Sequence, residues 1–121
     1  LLNIRKTMEQ VLEEFKPDVV AVEGIFYSKF VKTTLILGEA RGVVIATCAA
    51  AGLQVFEHEP RRVKQAVAGW GNATKEQMQK MVSSMLGMTT VPPEDAADAL
   101  AIAICHIQSF SRMALEGIKP L

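Results

Sequence analysis

Two short runs of apolar, β-branched residues limit the folds that this chain can adopt. The run 19–22 lacks polar alternation, as expected for a strand that is covered on both faces in a parallel sheet. A second buried strand is predicted at 53–57, after a stretch with helical periodicity. An order of helix, strand, helix and strand implies parallel pairing with a right-handed crossover. The sequence therefore predicts an α/β fold with two parallel strands.

Four to five helices are predicted from apolar residues at three- and four-residue intervals and from helix-capping residues. The clearest start is Thr74, because Gln77 three residues later completes a capping-box signature. The predicted helices span residues 4–15, a Thr33 cap to Ala51, residues 60–67, a Thr74 cap to Gly87, and Glu94 to Gln108. Two strands are too few to be covered by so many helices, so we expect further strands before Leu1.

Composition excludes few classes of function. Thirteen basic and thirteen acidic side chains cancel, so the net charge indicates neither a nucleic-acid nor a membrane partner. Cys48 and Cys105 lie far apart inside apolar runs, which favours core residues in a reducing compartment. The longest apolar run, 43–56, is shorter than the ~20 residues of a membrane span, and no signal peptide is visible. We expect one cytoplasmic domain over residues 1–121, incomplete at its N-terminus.

Acidic residues at a strand end and at the start of the last predicted helix include three candidates for a metal site, Glu23, Asp95 and Asp98. Glu94, Asp95 and Asp98 begin the last predicted helix, where acids complement the helix dipole by ~0.3–1 kcal/mol each. Asp98 fits that structural role poorly, because it lies past the first turn among apolar residues. Glu23 ends the first predicted strand, where ligands of parallel sheets bind. Convergence of Glu23, Asp95 and Asp98 would favour Mg²⁺ or Mn²⁺ over zinc.

Three stretches carry a resemblance to a known family. They are "AVEGIFYSKFVKTTLILGEARGVV" (Ala21 to Val44), "RRVKQAVAGWGNATKEQMQKMV" (Arg61 to Val82) and "EDAADALAIAICH" (Glu94 to His106). Together they resemble the RuvC family of Holliday junction resolvases in order and spacing, over nearly the whole chain. The acid followed by Asp-Ala-Ala-Asp-Ala-Leu-Ala is the most specific part, whereas a strand-end glutamate alone is a weak signal.

The resemblance implies an RNase H-like fold, a homodimer, and symmetric nicking of four-way DNA junctions with two divalent metal ions. Branch-migration proteins are implied as partners, and recombination and repair as the process. Glu23, Asp95 and Asp98 match three of the four metal-binding acids of the family. The fourth belongs to a Gly-Ile-Asp-Pro-Gly stretch on the first strand, which this sequence lacks. We therefore expect an RNase H-like fold without its N-terminal strands, and little nicking by the 121-residue chain alone.

The candidate DNA-binding residues are Lys64, Lys75 and Phe26. Basic residues outnumber acids between residues 58 and 80, a segment that on its own is most often a solvated helix face. The resemblance assigns Lys64 and Lys75 to DNA phosphates. Phe26 either folds back over the core or stacks on unpaired bases, and the resemblance favours stacking. Trp70 could contact DNA or fill a gap between helices, and its place between two glycines leaves us favouring the gap. His106 is expected to have a core or surface role.

A rival interpretation is a non-catalytic DNA-binding or interaction module on the same scaffold. A Gly-x-Asp strand encoded upstream of Leu1 would favour the enzyme, and its absence would favour the module.

Overall fold

The computed structural model describes residues 1–24, 29–116 and 119–121, with the side chains of 111–116 left aside. Five helices and two parallel strands follow one another in the predicted order, so the α/β fold is confirmed. The elements are α1 (Leu2–Phe15), β1 (Val19–Glu23), α2 (Val31–Ala50), β2 (Gln54–His58), α3 (Pro60–Ala68), α4 (Lys75–Met85) and α5 (Glu94–Glu116).

Strands β1 and β2 pair in a two-stranded sheet. The Gly24 N–H donates to the His58 carbonyl oxygen at 2.8 Å, which extends the pairing one residue past Glu23. Near the other end of β2, the Leu121 N–H donates to the Val55 carbonyl oxygen at 2.7 Å. Glu23 therefore lies at the carboxyl end of β1, as the sequence predicts.

The described residues divide into two compact units. The first comprises Leu1–Val20, 29–56 and Pro120–Leu121, and the second comprises Ala21–Gly24 and 57–116 with Lys119. The expectation that residues 1–121 form one domain stays a prediction.

In the first unit, α1 packs against α2 beside an open cleft of about 700 Å³. The predicted Thr33 cap is wrong, because α2 begins at Val31. Phe30 has an extended backbone (φ −101°, ψ 117°), and its carbonyl oxygen accepts the first helical hydrogen bond from the Thr34 N–H at 3.1 Å. Thr33 is thus already inside the helix, where its hydroxyl is not needed to cap the first turn.

Helix α2 exposes much apolar surface. Its most apolar 18-residue window has a mean hydropathy of 1.3 and is 11% buried, so by length and composition alone the helix could cross a membrane. Lys32, Glu39 and Arg41 interrupt that apolar character. A methyl group added at Gly38 or Gly42 would meet nothing within 4 Å, so among the described residues no backbone packs closely on these glycines.

In the second unit, α3, α4 and α5 share one hydrophobic core. Its buried members are Val63, Val67, Ala73, Met78, Val82, Ala101, Ile104 and Cys105. The predicted capping box is confirmed: the Gln77 N–H donates to Thr74 Oγ1, and the Thr74 N–H donates to Gln77 Oε1. Helix α5 extends to Glu116 rather than Gln108, because no glycine or proline interrupts the sequence before Gly117.

Candidate functional site

The carboxylates of Glu23 and Asp98 come within electrostatic range of each other in the second unit. Burial is the main cause that raises the pKa of Glu23 above its ordinary value, and Asp98 raises it further. Burial also raises the pKa of Asp98, followed by the charges of Glu94 and Asp95. These side chains are only partly covered, yet the surrounding protein displaces enough water to disfavour their charged forms. The site therefore collects negative charge at the end of β1.

Two lysines lie beside these acids without cancelling their charge. Lys64 on α3 lowers the pKa of both Glu23 and Asp98, and Lys75 on α4 lowers that of Asp98. The net shift of both acids is nevertheless upward, so the lysines compensate the carboxylates only in part. Such an arrangement favours the arrival of a further cation.

The predicted metal site is assembled only in part. Asp95 is exposed, and its charge raises the pKa of Asp98. Among the described residues, no three acid, histidine or cysteine side chains form a group that could hold a metal ion. The donor chemistry, carboxylate oxygen, suits a hard dication. As they stand, however, the described side chains do not complete a three-ligand cage.

An ion pair that sequence reasoning missed joins the two helix starts at this site. Lys75 Nζ lies 2.8 Å from Glu94 Oε1. The hydrogen bond to Glu94 is the main cause that raises the pKa of Lys75. Lys75 and Glu94 are 19 positions apart on different helices, so no local spacing rule could pair them.

The remaining candidates are placed as follows. Phe26 lies outside the described residues. Trp70 is 49% exposed, so it does not fill a closed gap between helices. His58 and His106 are both buried, and His58 Nε2 lies 3.0 Å from His106 Nδ1, with the rings edge to face. A core or surface role is expected for His106 from the sequence, and the structure places it in the core. Its contact with His58, 48 positions away, could not be predicted from local sequence.

Fold and site together define an α/β nuclease-like domain of the RNase H-like class, with acids at a strand end and lysines beside them. The family model described as "Crossover junction endodeoxyribonuclease RuvC" matches residues 1–106. The chain therefore belongs to the RuvC family, whose members are nucleases.

Similar proteins support the assignment. RuvC of Caldicellulosiruptor saccharolyticus is 48% identical over 92% of this chain and 68% of its own length. RuvC of Chloroflexus aggregans is 53% identical over 98% of this chain and 73% of its own length. The structure of Thermus thermophilus RuvC in complex with a Holliday junction substrate has a TM-score of 0.86 at 39% identity, covering 98% of this chain and 71% of that one.

Proposed function

We propose that this chain carries the active site of a Holliday junction resolvase, which nicks four-way DNA symmetrically during recombination and repair. The observation that carries the proposal is the juxtaposition of Glu23 and Asp98, on separate elements, with Lys64 and Lys75 beside them. Membership of the RuvC family and the likeness to a RuvC structure with bound junction support the same reaction.

Glu23, Asp95 and Asp98 are the residues that would hold divalent metal, with Mg²⁺ as the preferred ion, Mn²⁺ as the alternative and two ions in the intact site. The bound ions would activate water and stabilise the leaving oxygen of a phosphodiester. The support is that burial and neighbouring acids raise the pKa of Glu23 and of Asp98, although Lys64 acts on both in the opposite direction. Because three ligands do not yet meet among the described residues, a shift of side chains would accompany metal binding.

Lys64 and Lys75 are proposed to bind DNA phosphates, and Phe26 to stack on a base at the junction. Phosphate contacts position the DNA without reading its sequence. Support for the lysines is their place at the edge of the acidic site, where a scissile phosphate would have to lie. The support for Phe26 is its position three residues after Glu23 in the sequence.

We propose further that residues 1–121 belong to one cytoplasmic RNase H-like domain, that the protein is a homodimer, and that branch-migration proteins act with it. The exposed apolar side chains of Val31, Leu35 and Ile36 on α2 support an interface between subunits. Helix α2 lies within the region that matches the RuvC family, which favours such an interface over a membrane span.

The test is nicking of a synthetic four-way junction by the complete protein in Mg²⁺. Asp98→Asn is expected to lower the nicking rate by about 100-fold or more, because it removes a carboxylate ligand while keeping the side-chain size. Junction binding in EDTA should persist. Glu14→Gln, an exposed acid on α1, serves as the matched control and should keep full activity.

The rival module predicts a different result. If the wild-type protein binds the junction but Mg²⁺ and Mn²⁺ produce no nicks, or if Asp98→Asn nicks as fast as wild type, the nuclease assignment of these acids fails.

A further inference from the structure

The Lys75–Glu94 ion pair holds a DNA-binding lysine at the edge of the acidic site. The contact joins Nζ and Oε1 at 2.8 Å, between side chains that are 73% and 49% exposed. Each residue is the first of its helix, Lys75 of α4 and Glu94 of α5. Both partners are therefore accessible to a ligand that approaches from solvent, and a phosphate of suitable position would compete with the carboxylate for the ammonium group.

The surrounding structure places the pair firmly. The Thr74–Gln77 capping box fixes the start of α4, and buried Met78 and Val82 anchor that helix in the core it shares with α5. Gln79 Nε2 donates to the Pro92 carbonyl oxygen at 3.1 Å, which ties α4 to the loop that precedes Glu94. The approach of Lys75 to Glu94 is thus built into the packing of the two helices.

Helix electrostatics make the two partners unequal. A cation at a helix N-terminus opposes the helix dipole, whereas an anion there is stabilised. Lys75 occupies the unfavourable position on α4 and needs an anion nearby, either a carboxylate or a phosphate. Glu94 occupies the favourable position on α5 and remains stabilised by that helix when Lys75 leaves it. Exchange of Lys75 from Glu94 to a phosphate therefore has a low cost.

We propose that Glu94 is a positioning residue that occupies Lys75 in the DNA-free protein and must be displaced by a junction phosphate. Glu94 thereby lowers affinity for any DNA whose phosphate takes Lys75, because the ion pair must first be broken. The inference rests on the proposed function, because it assumes that Lys75 contacts DNA.

The test measures equilibrium binding of the complete protein to a four-way junction and to a linear duplex, in EDTA and over a range of salt concentrations. Glu94→Gln is expected to raise affinity for the junction by about two- to five-fold, the range of an exposed ion pair, and to raise affinity for the duplex by less, because only the junction is proposed to place a phosphate at Lys75. Glu76→Gln is the matched control, because it removes the same charge from the residue next to Lys75. The Coulombic effect of Glu76 on the pKa of Lys75 is the weakest of those acting on that lysine.

A double-mutant cycle with Lys75→Gln isolates the exchange. Under the proposal, the gain from Glu94→Gln shrinks when Lys75 is absent, because no ion pair is left to break. Glu94→Asp should restore wild-type affinity if the shorter carboxylate still reaches the ammonium group. Thermal unfolding of each variant reports any loss of helix packing, which by itself would not raise DNA affinity.

Three results would overturn the inference: equal gains from Glu94→Gln and Glu76→Gln, a loss of affinity in Glu94→Gln, or an undiminished gain in the Lys75→Gln background. The proposed function is judged separately, from Lys75→Gln alone. If that change leaves junction affinity and its salt dependence intact, Lys75 is not a phosphate contact and both proposals for this lysine fall.

Discussion

At the scale of single residues, two contacts join positions that are far apart in the sequence: His58 Nε2 lies 3.0 Å from His106 Nδ1, and Lys75 Nζ lies 2.8 Å from Glu94 Oε1. Glu23 and Asp98 stand out because a strand end and the second turn of a helix are unusual places for acids flanked by apolar residues, and the structure brings their charges together. The His58–His106 and Lys75–Glu94 pairs could not be predicted, because each joins elements whose packing depends on the whole core.

The histidine pair predicts a loss of stability in mild acid. Burial is the main cause that lowers the pKa of both His58 and His106 below the ordinary 6.5. The charges of His106 and Arg62 lower that of His58 further. As the pH falls below about 6.5, the two histidines bind protons in the unfolded chain more readily than in the folded protein. The free energy of unfolding therefore decreases.

The expected slope between pH 7.5 and 5.5 is at most about 1.4 kcal/mol per pH unit for each histidine, measured by urea denaturation. The control is the double variant His58→Gln/His106→Gln, which can keep a side-chain hydrogen bond but does not titrate. It retains Glu23 and Asp98, whose raised pKa values act in the opposite direction because the folded carboxyls take up protons first. Equal slopes in the two proteins would contradict the prediction.

At the scale of elements, the sequence predicts the order of the helices, but it predicts the first residue of a helix correctly in some cases only. Thr74 caps α4 as predicted because its partner Gln77 lies three residues away in the same sequence window. Thr33 looks like a cap but lies inside α2, since the backbone of Phe30 already accepts the first helical hydrogen bond. A capping box carries two reciprocal bonds and is therefore a stronger signal than a lone threonine.

Replacement of the two threonines distinguishes these cases. Thr74→Ala is expected to lower the free energy of unfolding by about 1 kcal/mol, because an N–H at the start of α4 loses its acceptor. Thr33→Ala should cause no loss, since alanine favours a helix interior. Chemical denaturation of both variants measures the difference, and an equal loss from the two would show that Thr33 also supports its helix start.

At the scale of the whole molecule, apolar periodicity predicts the α/β order but not which helices share a core. Val82 is fully buried among residues of α3, α4 and α5, whereas Leu35 on the more apolar α2 is 61% exposed. Nothing in the local pattern separates these two positions. Their difference depends on which surfaces the rest of the fold covers.

Truncation of Val82 tests the core of the second unit. Val82→Ala is expected to lower the free energy of unfolding by about 2 kcal/mol, from lost apolar burial and the small cavity left behind. Val91, which is 53% exposed in the loop before α5, provides the control. Val91→Ala should change stability by less than about 0.5 kcal/mol in the same denaturation experiment. Similar losses from both would place Val82 outside the core.

The hydrogen bond from the Gly24 N–H to the His58 carbonyl oxygen helps to set the register of β1 against β2. A slip of one residue turns every side chain of a strand to the opposite face. Insertion of one extra alanine after Ala21 would keep every acid in the chain. If the residues before the insertion kept their pairing with β2, Glu23 would turn to the opposite face of the strand, away from Asp98. Insertion or deletion of one residue within β1 should therefore impair the site as much as loss of Glu23 itself.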